Sequence, residues 1–269
     1  MRPSRVKAKL QRGEPVLVTT LHLIDPSVFE LTSLMGFDGI WMDMEHHTYS
    51  LQTASELMRA ARVGVADVIA RPAKGEFMRM QRMLEAGAHG IMYPRCDDAR
   101  EAAEVVGWMK FAPQGRRGVD SANPDAPYLA MPVDRYVAEA NRQTFLIVQI
   151  ETPQALERAD EIAAVEGVDV VMLGPGDFSI LSGIPGQFDH PKIREAKRTI
   201  AEAARRAGKH WGCPAISVEQ VRELMEMGSR VIFYQGDFVI LKAGLDQVRR
   251  EMSELGLTFD DRLGRQAGE

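Results

Sequence analysis

Residues 167–177 read GVDVVMLGPGD, and this stretch carries the pattern that decides the fold. Its central run, Val170-Val171-Met172-Leu173, is apolar at every position, which is typical of a strand buried on both faces of a parallel sheet. Gly167 stands just before the run, where a glycine commonly ends the preceding helix. The stretch therefore predicts one β/α unit, with a helix before the strand and a glycine-rich turn after it.

The same alternation of short apolar runs and longer helical stretches continues along the chain. Strands are predicted at residues 16–20, 39–42, 68–71, 91–93, 145–150, 169–173, 210–213 and 231–234. Eight such units favour a closed (β/α)8 TIM barrel, because an open doubly wound sheet would need a glycine-rich dinucleotide loop after its first strand. We therefore predict an α/β protein in which residues 1–269 form a single barrel domain.

Five segments depart from the regular alternation or need separate predictions. The basic residues 1–10 are predicted to form a short surface helix, and residues 153–165 a single helix that starts at a proline. A long loop is predicted at about 110–134, followed by an extra helix at 135–143. The last fourteen residues are polar and are predicted to fray.

Composition and charge exclude several classes of partner. The formal net charge is -5 with both signs mixed along the chain, so we expect no nucleic-acid partner. No apolar run is long enough to span a bilayer, so we expect no membrane partner. Cys96 and Cys213 are far apart and form neither a disulfide framework nor a zinc motif, which predicts a reducing compartment and a cytoplasmic location.

Polar residues follow several predicted strands, and a barrel gathers these strand ends at one mouth. Glu151 follows the fifth strand and Asp177 follows the sixth. Two neighbouring carboxylates without a nearby cysteine suit a hard divalent cation, Mg²⁺ or Mn²⁺ and with Co²⁺ as a further candidate. The alternative is that each carboxylate caps the helix that follows it.

Three further features at strand ends suit an anionic substrate. Arg71 ends the third strand, where its guanidinium suits a carboxylate or a developing oxyanion, or else a structural salt bridge. Gln149 lies on the fifth strand and is a candidate substrate ligand. Gly176 and Asp177 lie in a glycine-rich turn whose backbone N–H groups suit a carboxylate, although an ordinary tight turn has the same sequence.

His46 follows the second strand and is a candidate general acid or base, because its unperturbed pKa lies near neutrality. We expect Glu85, at the end of the helix after the third strand, to orient it. His47, next to His46, could instead contribute to a metal site.

A Schiff-base aldolase is the alternative chemistry, and Lys74 is its candidate nucleophile.

Several motifs together resemble the HpcH/HpaI aldolase family, which includes metal-dependent hydroxy-oxo-heptenedioate aldolases. The residues that carry the resemblance are 37–46 (FDGIWMDMEH), Arg71-Pro72, 115–118 (GRRG), 148–152 (VQIET) and 173–179 (LGPGDFS). The resemblance extends from about residue 7 to residue 248, with the motifs in the family's order.

The resemblance implies a pyruvate-type aldolase in which Glu151 and Asp177 bind the metal that holds pyruvate. The backbone N–H groups of Gly176 and Asp177 would bind the pyruvate carboxylate, and Arg71 would stabilise the enolate and the aldol oxyanion. His46 would act as the base. The resemblance also implies a homo-oligomer, a hexamer or a trimer, with the last helix packed on a neighbouring subunit.

The chain departs from the family pattern at several positions around the expected mouth. Thr20 replaces a common aromatic residue, His22 a small one, and Gly176 a usual alanine. Glu85 stands where the family's histidine partner is usually Asp. His47, Tyr49 and the segment 123–125 also differ, so the resemblance does not carry over the acceptor pocket.

The predicted function is reversible cleavage of a 4-hydroxy-2-oxo acid to pyruvate and an aldehyde by a metal-dependent carbon–carbon lyase. The same enolate chemistry would also decarboxylate oxaloacetate. One alternative is a lyase of the same superfamily that acts on a CoA thioester and needs a basic patch for the nucleotide. Another is a catalytically silent barrel that serves as a binding module.

Overall fold

The computed structural model describes residues 1–263, and its centre is a closed barrel of eight parallel strands in chain order. Each strand starts and ends within two residues of its predicted bounds, which confirms the (β/α)8 TIM barrel. The strands are β1 (Val16–Leu21), β2 (Gly39–Asp43), β3 (Asp67–Arg71), β4 (Gly90–Tyr93), β5 (Phe145–Ile150), β6 (Val170–Leu173), β7 (His210–Ala215) and β8 (Val231–Gly236).

Helices surround the barrel, and two of the predicted connections differ from the structure. The helix predicted after β5 is two short helices, because the backbone of Arg158 (φ -106°, ψ 15°) leaves the helical region. The turn predicted after β6 begins a helix at Pro175, whose fixed φ suits a first helical turn. The helices are α1 (Arg5–Gln11), α2 (Pro26–Leu34), α3 (Leu51–Ala61), α4 (Phe77–Ala86), α5 (Ala99–Met109), α6 (Val133–Gln143), α7 (Pro153–Glu157), α8 (Ala159–Ala163), α9 (Pro175–Leu181), α10 (Pro191–Ala207), α11 (Val218–Glu226) and α12 (Asp237–Glu254).

The core has two layers, and strand alternation assigns side chains to them. On β5, Phe145 and Ile147 pack inside the barrel, whereas Leu146 and Val148 pack against the surrounding helices. The same period places Gln149 on the interior side, at the carboxyl end of the strand. Arg71 is likewise two residues beyond the interior residue Ile69 on β3. Alternation thus directs the polar residues at the strand ends into the barrel mouth.

The N-terminal helix α1 is not the surface helix that its charge predicted, because its apolar face closes the bottom of the barrel. Val6 and Leu10 are buried and join the interior cluster. On the other side of the helix, Arg5 and Lys9 donate hydrogen bonds to Asp38 at 2.6 and 2.7 Å. The basic residues of the N-terminus therefore pair with carboxylates at the start of the strands.

Asp67, the first residue of β3, is fully buried beneath α1. Its Oδ2 atom accepts hydrogen bonds from the Ser4 hydroxyl at 2.6 Å and the Val6 backbone N–H at 2.9 Å. Its Oδ1 atom lies 3.4 Å from Nδ1 of His89 and 3.8 Å from Nη2 of Arg2. Asp67 therefore connects the N-terminal segment to the barrel floor.

The long loop between α5 and α6 is held by buried polar contacts and contains a 3₁₀ turn at Pro127–Leu129. Arg117 donates to the Tyr136 hydroxyl at 3.1 Å, and Tyr136 donates to Asp125 at 3.0 Å. In the described part of the C-terminal tail, Arg249 donates a hydrogen bond to Asp261. The predicted fraying of residues 264–269 lies outside the described residues.

Replacing Asp67 with alanine tests the connection between α1 and the barrel floor. We expect Asp67→Ala to lower the free energy of unfolding by about 2–4 kcal/mol, because it leaves buried donors without an acceptor. Urea unfolding followed by circular dichroism measures the change, with Glu223→Ala on the exposed face of α11 as the control. Equal stability of the two variants would show that α1 does not depend on this carboxylate.

Candidate active site

A cavity of about 530 Å³ opens at the carboxyl ends of the strands. Six of the seven residues predicted for the site line it: His46, Arg71, Gln149, Glu151, Gly176 and Asp177. They come from the ends of four strands, β2, β3, β5 and β6. The barrel therefore brings together side chains that are more than a hundred residues apart in sequence.

Arg71 is the most constrained cation in the cavity. Its Nε and Nη2 atoms donate a bidentate pair of hydrogen bonds to Asp43 at 2.9 and 2.6 Å. The guanidinium also lies 4.7 Å above the ring of Trp41. Its Nη1 atom is 3.4 Å from the side-chain oxygen of Gln149 and 3.4 Å from a carboxylate oxygen of Glu45. These contacts fix the plane of Arg71 and leave donor capacity at Nη1.

Asp43 is the buried carboxylate that holds Arg71. Burial raises its pKa, but the hydrogen bond and the positive charge of Arg71 outweigh that effect and hold the pKa below its usual value. The pair is thus an ionised carboxylate against a guanidinium, a geometry that favours two parallel hydrogen bonds. Asp43 was not among the predicted site residues, although it directly ends β2.

Glu151 is a buried carboxylate with too little positive charge around it. Burial raises its pKa to about 7, and the charges of Asp177 and Glu45 act in the same direction. The Arg95 backbone N–H, which donates to its Oε2 atom at 2.8 Å, and the positive charge of Arg71 oppose this increase only in part. A carboxylate in such surroundings gains from a bound cation, because the cation stabilises its ionised form.

The backbone at Gly174 leaves room for the Glu151 carboxylate. A Cβ atom at position 174 would lie 2.0 Å from Oε1 of Glu151, which is far inside van der Waals contact. Only glycine therefore allows the carboxylate to lie against the β6 turn. Asp177 stands three residues later, in the first turn of α9. The residues present thus fit a hard divalent cation, with two carboxylates as the oxygen donors.

Side chains alone do not complete a metal site in residues 1–263. No three His, Cys, Asp or Glu residues in that range are grouped so that they could hold a cation. Water and substrate oxygens would complete the coordination of a cation between Glu151 and Asp177, as they commonly do for Mg²⁺. His47, which was considered as a metal ligand, has its closest carboxylate contact with Asp43, at 3.9 Å.

His46 lies at the rim of the cavity with 58% of its side chain exposed. Its Nε2 atom is 3.6 Å from a carboxylate oxygen of Glu45, and its backbone N–H donates to Asp43 at 3.4 Å. Its nearest carboxylates therefore come from its own strand end. The imidazole reaches the cavity, and among residues 1–263 it has no close hydrogen bond that fixes its orientation.

The structure contradicts the prediction that Glu85 orients His46. Glu85 lies in the last turn of α4, which leads into the start of β4, so it is at the opposite end of the barrel from His46. Burial raises its pKa, and the charges that act on it come chiefly from Arg117, Asp120 and Arg82. The prediction was wrong because the helix after a barrel strand runs back to the floor, so its last turn lies far from the carboxyl end of that strand.

Lys74 is unsuited to the Schiff-base alternative. Its amine donates to the Arg95 carbonyl at 2.6 Å, to Asp97 at 2.5 Å and to Glu101 at 3.1 Å. Burial lowers its pKa, but the two carboxylates outweigh burial and the net pKa is raised. The amine is thus held in its protonated form, which is not nucleophilic. Lys74 is not among the residues that line the cavity.

Sequence reasoning missed a histidine–carboxylate pair on the β1 and β8 side of the mouth. Nδ1 of His22 lies 2.8 Å from Oδ1 of Asp237, and His22 lines the cavity. Asp237 directly follows β8, but it was not among the predicted site residues. The available signal was that β1 and β8 are neighbours in a (β/α)8 barrel, whose strands follow chain order, which places the residues after them side by side.

No helix of residues 1–263 is both long enough and apolar enough to cross a membrane.

Comparisons with known proteins agree with this architecture and with the motifs of the mouth. The family model described as HpcH/HpaI aldolase/citrate lyase matches residues 20–234. The chain is 28% identical over 241 residues to the 2-keto-3-deoxy-L-rhamnonate aldolase of Escherichia coli K12, which is 90% of each chain.

Solved structures of the same family superpose over nearly the whole chain. An HpcH/HpaI aldolase from Desulfitobacterium hafniense DCB-2 has a TM-score of 0.86 at 31% identity, covering 95% of this chain and 98% of that one. An HpcH/HpaI aldolase/citrate lyase family protein from Burkholderia cenocepacia J2315 has a TM-score of 0.87 at 28% identity, covering 93% and 99%. The chain belongs to the HpcH/HpaI aldolase/citrate lyase family and is a carbon–carbon lyase of the aldolase type.

Proposed function

We propose that the protein reversibly cleaves a 4-hydroxy-2-oxo acid to pyruvate and an aldehyde, with a divalent cation as cofactor. The observation that supports this most strongly is the convergence of Arg71, Glu151 and Asp177 on one cavity in a member of an aldolase family. One relative is named for a 2-keto-3-deoxy sugar acid, which belongs to the proposed substrate class.

Glu151 and Asp177 would hold the cation, which is Mg²⁺, Mn²⁺ or Co²⁺ in this proposal. When bound, such a cation supplies Lewis-acid polarisation of the substrate keto group. The burial of Glu151 and the space at Gly174 support this assignment, because both favour an oxygen ligand that is fixed and poorly neutralised.

Arg71 would stabilise the negative oxygen that develops as the carbon–carbon bond breaks. Asp43 and Trp41 hold its guanidinium in place before the reaction, so little reorganisation is needed when charge develops. Gln149, next to Nη1 of Arg71, would contribute its amide to the same oxygen-rich end of the substrate.

The backbone N–H groups of Gly176 and Asp177 would bind the pyruvate carboxylate. Both belong to the start of α9, and both residues line the cavity. N–H groups in a first helical turn have no intrahelical acceptor, which makes them available to an anion. Pro175, which has no N–H, directs the free donors to the next two positions.

His46 would exchange the proton at C3 of pyruvate, as acid in cleavage and as base in addition. Its position at the rim supports this role, because a rim histidine can also exchange protons with solvent. The charged groups near His46 are the carboxylates of Asp43 and Glu45, and not that of Glu85 as predicted.

The two other functions considered from the sequence have less support. A CoA-thioester lyase would need several cationic side chains for the nucleotide, but Arg71 and Lys197 are the arginine and lysine residues that line the described cavity. Arg71 is already paired with Asp43. A silent binding barrel would not need a buried, poorly neutralised carboxylate such as Glu151 beside Asp177.

We also propose that the protein is a homo-oligomer, a trimer or a hexamer, in the cytoplasm. α12 exposes a run of large apolar side chains, and Ile24, Leu31, Leu34 and Met35, within or next to α2, are also exposed. On α12 the exposed residues are Phe238, Val239, Ile240, Leu241, Leu245 and Val248. Contiguous apolar surface of this kind is characteristic of an interface between chains.

Metal removal tests the cofactor and the substrate class together. We expect pyruvate release from a panel of 4-hydroxy-2-oxo acids that includes 2-keto-3-deoxy-L-rhamnonate. Because polarisation of the keto group needs the cation, EDTA should abolish release, and Mg²⁺, Mn²⁺ or Co²⁺ should restore it. Release that survives EDTA and is lost on borohydride treatment would instead support a Schiff base and contradict the metal assignment.

Replacing Arg71 separates its role from that of the cation. We expect Arg71→Ala to lower kcat/KM for cleavage by about 100-fold or more, because a preorganised donor to the oxyanion is lost. Mn²⁺ affinity, measured by electron paramagnetic resonance, should stay within about threefold of the original, because Glu151 and Asp177 are retained. Arg198→Ala on the exposed face of α10 is the control. Normal turnover in Arg71→Ala would contradict the role.

Introducing a charge into the apolar run of α12 tests the oligomer. We expect the unmodified protein to sediment as three or six chains and the Leu245→Asp variant to sediment as a smaller species, because the interface would bury an unpaired carboxylate. Glu251→Asp, at an exposed position on the same helix, is the control. A monomeric unmodified protein would contradict the proposal.

A further inference from the structure

His22 and Asp237 form a pair that the proposed catalytic groups do not use. β1 and β8 lie across the barrel from β5, so the pair faces the cavity from the side opposite Glu151. The register of the two strands, with Thr20 beside Gly236, places the residues that follow them next to each other. His22 also lines a second pocket of about 200 Å³ together with His47 and Tyr49.

Asp237 is fixed as an ionised carboxylate. Its Oδ2 atom accepts the backbone N–H groups of His22 and Leu23, each at 2.7 Å, and its Oδ1 atom accepts that of Phe238 at 2.9 Å. Burial raises its pKa, but the hydrogen bond from His22 and those from the backbone outweigh burial and lower the net pKa. The carboxylate therefore cannot rotate away from His22 without losing several hydrogen bonds.

An ionised carboxylate only accepts hydrogen bonds, and this determines the tautomer of His22. Nδ1, at 2.8 Å from Asp237, must carry a hydrogen, so in the neutral imidazole Nε2 is the nitrogen that bears the lone pair. A histidine whose Nδ1–H is held by a buried carboxylate is the arrangement that general bases use in hydrolases.

The His22 ring is also held on its faces. Phe238 stacks on it with centroids 5.5 Å apart and an angle of 27° between the planes, and His47 lies against it at 4.6 Å. The Tyr49 hydroxyl donates to the His22 carbonyl at 2.6 Å. The side chain is 23% exposed, against 58% for His46, so His22 is the more rigid of the two histidines at the cavity.

We propose that His22, oriented by Asp237, is the acid–base residue for the aldehyde half of the substrate. This inference rests on the proposed aldolase function and divides its proton transfers between two histidines. The pyruvate half of the substrate is bound and protonated by the groups proposed above, Glu151, Asp177, Arg71 and His46. His22 exchanges the proton on the C4 oxygen. The cavity is lined by both groups, so one substrate can contact both.

In cleavage, Nε2 of His22 takes the proton from the C4 hydroxyl. The O–H electron pair forms the aldehyde C=O bond, the C3–C4 pair becomes the C2–C3 double bond, and the π pair of the C2 keto group moves onto its oxygen to give the pyruvate enolate. His46 then protonates C3 to give pyruvate, and the proton on His22 returns to solvent. In the addition direction, His22 donates that proton to the aldehyde oxygen as the new carbon–carbon bond forms.

The experiment compares two reactions of the metal-loaded enzyme. Exchange of deuterium from solvent into the pyruvate methyl group needs enolate formation but no aldehyde. Cleavage, measured with the 4-hydroxy-2-oxo acid of the panel that is cleaved fastest, needs both halves of the site. We expect His22→Ala and His22→Gln to lower cleavage about 100-fold, because a general base is lost, while exchange stays within about twofold of the original.

Three comparisons make the result specific. Imidazole added to His22→Ala should restore cleavage at least about tenfold, because it replaces the missing base in a partly exposed site. His46→Gln should lower both reactions, and His210→Gln, at the start of β7 on the opposite end of the barrel, should lower neither. Retained exchange in the His22 variants also shows that they are folded.

Either of two outcomes would overturn the inference. A parallel loss of exchange and cleavage in both His22 variants would mean that His22 supports the whole site, and unchanged cleavage would mean that it transfers no proton. An unmodified enzyme that catalyses neither reaction would contradict the aldolase proposal itself. The two proposals therefore fail in distinguishable ways.

Discussion

The pairing of β1 with β8 is the constraint on which the rest of the structure depends, because it closes the sheet into a barrel. Closure gives every strand two hydrogen-bonded neighbours and brings all eight carboxyl ends to one rim. Arg71, Glu151 and Asp177 meet there although long segments of chain separate them. The same pairing brings His22, after the first strand, against Asp237, after the last.

Buried carboxylates are stabilised by different groups at the two ends of the barrel. Those at the floor hold the structure together, and those at the mouth line the candidate active site. At the floor, Asp38 accepts hydrogen bonds from the basic side chains of Arg5 and Lys9, and Asp67 accepts them from the Ser4 hydroxyl and the Val6 backbone N–H. At the mouth, Asp43 accepts hydrogen bonds from the Arg71 guanidinium, whereas Asp237 accepts them from backbone N–H groups and the His22 imidazole. Glu151 has a single backbone donor among its described hydrogen bonds, which is the arrangement expected of a ligand that needs a cation.

Much of the fold and part of the candidate site were predictable from local sequence. All eight strands were located because buried parallel strands are apolar at nearly every position, a pattern that does not depend on distant residues. Glu151 and Asp177 were located because strand ends are visible in the sequence. Glu85 was placed wrongly because the end of a helix after a barrel strand lies at the floor of the barrel. The buried position of α1 was missed because its basic residues Arg5 and Lys9 pair with Asp38, which is far from them in the sequence.

The sequence by itself determined the order of strands, the class of fold and the set of polar residues that reach the mouth, because each depends on patterns within about twenty residues. Only the tertiary structure decided how those residues pair: Arg71 with Asp43, His22 with Asp237, and Glu151 against the bare backbone of Gly174. Such pairings depend on strand register, barrel closure and side-chain direction, which are set when distant segments pack together. Burial, which shifts the pKa values of these groups, likewise exists only in the folded chain.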